Sequence, residues 1–167
     1  AVWEVATQET LVLGQPVTLR HGEHDQLQAQ RVHLYGNGRH GLMEENVSIH
    51  IFVPPEKSQA LTGYWDLQCS ALDVEFAPKG SEFAIQEAIA HGQVQISGNG
   101  YAGSADRALL AWESGQALLS LNGEPAWIRT EVLDMRDAII RLNLTTQDLV
   151  SEGGYDWNLD PRELKRR

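Results

Sequence analysis

The sequence predicts an all-β protein, a twisted antiparallel jelly roll or open roll of about ten to twelve short strands. Three observations carry this. Apolar residues recur at every second position in several segments, as in Val47, Ile49, Ile51 and Val53 against Asn46, Ser48 and His50. Turn residues interrupt the chain about every 8–12 residues, the spacing of sandwiches, barrels and rolls. Fifteen glycines are spread along the chain rather than clustered.

In order, residues 2–20 read as two short strands separated by Gly14-Gln15-Pro16, and His21 to Asp25 as a turn. Gln26 to Tyr35 is a firmer strand, closed by Gly36-Asn37-Gly38. Asn46 to Val53 ends at Pro54-Pro55, because proline offers no amide to a ladder, and residues 54–63 read as a loop. Trp65 to Phe76 follows, and Phe83 to Ile89 is read as a strand with Phe83 and Ile85 inward. The central meander runs from Gly92-Val94-Ile96 through the turn Ser97-Gly98-Asn99-Gly100 to Trp112. It continues from Ala117 to Asn122-Gly123. Pro125 to Val132 and Met135 to Leu144 complete the set. Residues 1–150 are expected to form one domain, and 151–167 a tail or linker, partly ordered by Tyr155 and Trp157 or turning helically after Pro161.

A short pattern recurs: Leu27-Ala29-Val32-Leu34, Leu67-Cys69-Leu72-Val74, Gly103-Ala105-Ala108-Leu110 and Ile128-Thr130-Leu133-Met135. Each has a small residue, then a step of three. Such a step reverses side-chain parity unless a bulge absorbs one residue. A bulge beside a small inward residue bends a strand around an interior.

The segments A-H-G-Q-V-Q-I, A-D-R-A-L-L-A-W and L-L-S-L-N-G-E-P-A, within Leu67 to Leu144, resemble the OstA/LptA-type lipopolysaccharide-transport domain. Val17 to Leu34 and Val47 to Val53 look like an earlier copy of the same unit. The resemblance implies an OstA-like roll, open along one side, whose apolar interior holds the acyl chains of lipopolysaccharide or another acylated lipid. It also implies homo-oligomers, or pairing with other such domains, through edge strands, in the periplasm or cell envelope. The lining expected for that groove is Val47, Ile49, Ile51, Leu67, Leu72, Val94, Ile96, Leu119, Leu121, Ile128 and Leu133.

Other chemistry finds little support. A net charge of −10 argues against nucleic acid, whose binding rests on Lys and Arg neutralising phosphates. No run of roughly 20 apolar residues is present for a membrane helix. The first residues lack a signal-peptide pattern, so any such segment is expected to be removed or to lie outside this chain. Among the histidines, His21 and His24 flank acids in a turn, but a zinc site needs three or four converging ligands, and no H-x-H occurs. His50 is expected on an exposed polar face. No G-x-S-x-G elbow occurs, and Cys69, the one cysteine, falls at the small inward position, where a buried inert thiol is expected. The expected function is therefore non-enzymatic and without cofactor. The alternatives are a carbohydrate-binding jelly roll using exposed Trp and Tyr, or a ligand-free assembly domain.

Overall fold

The computed structural model describes residues 9–21, 24–36, 38–53, 62–79, 82–113, 116–131, 133–153 and 157–159. Within them the fold is an antiparallel meander of ten strands: β1 (Thr10–His21), β2 (Asp25–Tyr35), β3 (His40–Val53), β4 (Gly63–Lys79), β5 (Glu82–Gly98), β6 (Tyr101–Glu113), β7 (Gln116–Arg129), β8 (Leu133–Asn143), β9 (Asp148–Glu152) and β10 (Trp157–Leu159). Neighbours in sequence pair in space from β1 to β8. Both β9 and β10 then pair with β8, β9 along Ile139 to Asn143 and β10 along Leu133 to Met135. The residues expected as a tail after 150 thus include the end of β9 and all of β10. The sheet stays open, with β1 at one edge and the short β9 and β10 at the other. It is an open β-roll.

The strands are long because each is bent rather than ended. Every pairing from β1/β2 to β7/β8 carries a register shift, and the shifts line up across the sheet. They fall between Leu13 and Val17, Gln28 and Arg31, Glu44 and Val47, Gln68 and Ala71, His91 and Val94, Ser104 and Arg107, and Asn122 and Ala126. This crease divides the sheet into arm A, holding the β1–β2, β3–β4, β5–β6 and β7–β8 turns, and arm B, holding the others. In β2, β4 and β6 the inward residues step by three across it (Ala29 to Val32, Cys69 to Leu72, Ala105 to Ala108), and all six are buried. β3 and β5 cross it on pairs with positive φ, Glu45-Asn46 (64° and 57°) and Gly92-Gln93 (72° and 51°).

The crease corrects several expected boundaries. Gly14-Gln15-Pro16 does not separate two strands; it bends β1. Asn122-Gly123 does not end a strand, because β7 continues through Glu124-Pro125, a cis peptide bond, to Arg129. Phe83–Ile89 and Gly92–Ile96 belong to one strand, β5, and β3 begins at His40 rather than Asn46. The fourth copy of the repeat, from Ile128, falls at the β7–β8 turn and not on a bulge. The Gly98-Asn99-Gly100 turn stands where expected, with Asn99 at φ 48°. The expected loop over 54–63 lies outside the described residues up to 61, as do Gly22, Asn37, Ser114, Gly115, Tyr155 and Pro161.

Candidate functional site

The inner face is built from transverse rows, since residues opposed in an antiparallel ladder point to the same side. In arm A, Leu27, Ile49, Leu67, Ile96, Gly103, Ile128 and Met135 stand opposite one another in turn, from β2 to β8. In arm B the corresponding row is Val32, Met43, Leu72, Ala90, Ala108, Leu121 and Ile140. The two rows face each other over the crease. Gly103 is a point of close approach: a Cβ there would lie 3.2 Å from Leu121 Cδ1 and 3.1 Å from the Trp127 carbonyl oxygen on the neighbouring strand.

Of the residues expected to line a groove, Val47, Leu72, Val94, Leu119, Leu121 and Ile128 are buried. Ile49, Leu67, Ile96 and Leu133 are partly buried and packed against that core. Ile51 departs from the expectation: it is 36% exposed, although it shares its face with Val47 and Ile49. Ile51 lies near the free end of arm A, opposite Trp65, which is itself buried. Its counterparts at the free end of arm B are Ile85, opposite Phe76 and 45% exposed, and Trp112, opposite Ala117 and 44% exposed. Ile85 was expected inward; register places it on the inner face but at the rim. The side chain of Phe83 lies outside the described residues.

The buried inner-face residues left off the expected lining include the small Ala90, Ala108, Ala117 and Ala126 and the larger Val32, Met43, Met135 and Ile140. Alanine carries too little apolar signal to mark a face, and Ile139-Ile140 offers two adjacent candidates of which register selects one.

Among the described residues, Cys69 and Asp137 are the ionisable side chains buried in the interior. Its one thiol, Cys69, is buried, and burial pushes its pKa up to about 11 against the smaller opposing effect of backbone hydrogen bonds at His91 and Ala71. A thiol so held is a poor nucleophile at neutral pH. Asp137 is the buried charged residue among those described, and its Oδ1 accepts a hydrogen bond from the Ala138 amide at 2.6 Å. Three of the histidines pair with acids on solvent-accessible surface: His50 with Asp66 at 2.7 Å, His33 with Glu9 at 3.3 Å and His91 with Asp73 at 3.7 Å. His50 is half exposed, as its polar-face position predicts. No cluster of three or more metal-ligating side chains occurs among the described residues. A polar pocket of about 380 Å³ lies at the crease, bordered by Leu13, Gly14, Gln30, Arg31 and Glu45, apart from the apolar rows.

No helix among the described residues is long and apolar enough to cross a membrane. Against known proteins, the chain matches no family model and no curated sequence.

Proposed function

We propose that the protein is a non-enzymatic module that holds the acyl chains of lipopolysaccharide or another acylated lipid between its two arms, in the periplasm or cell envelope. The observation that carries this reading is the apolar inner face, continuous from β2 to β8, in a roll that stays open and exposes Ile51, Ile85 and Trp112 at its rims. Chains would enter at the rims and part the arms, displacing contacts such as Leu121 against Gly103. Each buried methylene contributes roughly 0.8 kcal/mol, so a chain of about twelve carbons gains on the order of 9 kcal/mol before the cost of opening the arms. Acyl burial of that size needs no cationic partner, which suits a chain of net charge −10.

Edge-to-edge stacking belongs to the same reading. β1 ends the sheet with Leu13 and Leu19 exposed by 46% and 39%, and Thr10–His21 contains no acidic residue. The opposite edge, β9, carries Asp148 and Glu152. Arg20 and His21 lie in arm A whereas β9 edges arm B, where Glu152 is already paired with Arg141, so stacking rests on the open edges themselves: an unpaired strand edge is a template for another strand.

The filled interior favours a second reading, an assembly domain without ligand. Four inner residues beside the crease, Ala29, Val47, Val94 and Ala126, are at most 1% exposed. Native mass spectrometry of the purified chain, followed by organic extraction, separates the two. Complexes heavier by the mass of an acylated lipid support the carrier. A chain that stays unloaded even after incubation with lipopolysaccharide and phospholipid supports the assembly domain.

A further inference from the structure

The two edges of the open sheet are built differently. β9 and β10, which share the edge at β8, are five and three residues long. β9 carries Asp148 and Glu152. Short strands and charges are common devices that keep an edge from pairing. β1 is twelve residues long, and its arm B half, residues 10–13, is Thr-Leu-Val-Leu, without charge, glycine or proline. Pro16 is confined to the crease, and Leu13 and Leu19 on either side of it are exposed. The edge at β1 is the unprotected one.

Strand polarity limits what β1 can pair with. Every strand pairing is antiparallel, so β1, β9 and β10 all run from arm B to arm A. A copy stacked head to tail with its arms aligned would lay β1 parallel to β9 and β10. Parallel pairing is slightly weaker per residue, and the edge offered there is short and interrupted between Glu152 and Trp157. A two-fold axis through the crease, bisecting the angle between the arms, exchanges arm A with arm B. It sets β1 antiparallel to β1 of a second copy and keeps both inner faces on the same side.

Register follows from the side chains. On β1, Val12, Val17 and Leu19 share the inner face with Val32, Ala29 and Leu27, whereas Leu11, Leu13 and Thr18 share the outer face with His33, Arg31 and Gln28. One face-matching register sets residues 10–13 against residues 18–21 of the second copy. Val12 then lies opposite Leu19 of that copy on the inner face, and Leu13 opposite its Thr18 on the outer face. Pro16, which has no amide to give, stays out of both ladders at the axis, where the two creases meet. Arg20 falls opposite Leu11 of the second copy, so the two Arg20 side chains stand at opposite ends of the interface. We infer that the protein forms a closed two-fold dimer through β1, in which the apolar inner faces of two copies join into one surface. The contact is self-complementary, as a two-fold interface requires. It uses the open edge of both copies and leaves the short β9 and β10 edges outward. The dimer rests on the edge pairing of the proposed function and not on its lipid.

Sedimentation equilibrium of the full chain over a range of concentrations should show monomer and dimer and nothing larger. Leu13→Cys with Thr18→Cys, in a Cys69→Ala background that leaves no other thiol, sets the new thiols opposite each other across the axis. Mild oxidation should then give a covalent dimer that a reductant reverses. Within one chain the two positions lie roughly 16 Å apart at the usual strand rise, beyond the reach of about 7 Å that a disulfide spans, so the bond must join two copies. Either single substitution should cross-link far more slowly. Monomer at every concentration would overturn the dimer and edge stacking together. Oligomers that keep growing with concentration, without cross-linking by the cysteine pair, would overturn the dimer and leave head-to-tail stacking. A dimer that the pair fails to cross-link would overturn the proposal by placing the contact away from β1.

Discussion

Leu121 in β7 reaches over the crease to Gly103 in β6, where a Cβ would stand 3.2 Å from Leu121 Cδ1 and 3.3 Å from Ile96 Cγ2. Glycine at 103 therefore sets how closely the two inner faces meet. Gly103→Val should destabilise the fold by about 1–3 kcal/mol through overpacking against a backbone oxygen as well as Leu121. Leu121→Ala should cost about 2–5 kcal/mol through the cavity it leaves. Because the residues touch, the two substitutions should not be additive. Urea unfolding of both single variants and the double variant checks this, and strict additivity would argue that the arms do not meet here.

The crease makes its own demand in β5. Gly92 has φ 72°, and a Cβ there would lie 2.7 Å from Ser70 Oγ and 2.9 Å from Ser70 Cβ. Ser70 also donates a hydrogen bond from Oγ to the Gly92 carbonyl oxygen at 3.1 Å. Gly92→Ala should cost about 2 kcal/mol, from the left-handed backbone and the clash together. Adding Ser70→Gly should relieve the clash but not the backbone strain. Partial rescue in thermal melts is the expected pattern, and no rescue would mean that the backbone alone sets the cost.

Cys69 gives a pH signature. Its thiol ionises near 9.0 when unperturbed and is held neutral to about 11 in the fold, chiefly by burial. Stability from the neutral thiol is fully present below pH 9. It is lost as pH rises from 9 toward 11, because there the unfolded chain gains a thiolate and the folded chain does not. Between pH 8 and 10.5 the wild type should lose more stability than Cys69→Ala, measured by urea midpoints. Equal losses would show that the thiol is not shielded.

The rim residues separate binding from folding. Ile51 and Trp112 are 36% and 44% exposed, so Ile51→Asn with Trp112→Ser removes part-covered apolar surface and should lower the melting temperature while leaving the chain folded at room temperature. Under the carrier reading the same pair lowers the fraction of chains that retain added acylated lipid, read by native mass spectrometry. Undiminished retention would place the entry elsewhere.

The β class and most inner-face residues were legible because alternation in β3 (Val47, Ile49) and β5 (Val94, Ile96) registers directly as burial or part-burial against the core. The crease was legible only in β2, β4 and β6, where one inserted residue leaves a step of three between apolar positions. In β1 and β7 the same bend uses Gly14-Gln15-Pro16 and Gly123-Glu124-Pro125. Those residues carry the local signal of a strand end, and only pairing with both neighbours keeps the strand running. In β3 the crease falls on Glu45-Asn46, of which Glu45 gives no turn signal at all. The exposure of Ile51 was not legible either, since periodicity assigns a face and not a distance from the rim.

Isoleucine methyl NMR during titration with an acylated lipid tests the carrier reading most directly, because the isoleucines divide between the two faces of the sheet. Ile51, Ile96 and Ile128 lie on the inner face, whereas Ile89 and Ile139 stand on the outer face among Asp73, Leu109 and Asn122. Acyl chains held between the arms should give shifts that begin at Ile51 and Ile85 on the rims and extend to Ile96 and Ile128, with Ile89 and Ile139 unmoved. Shifts confined to Ile89 and Ile139, or none at saturating lipid, would contradict it.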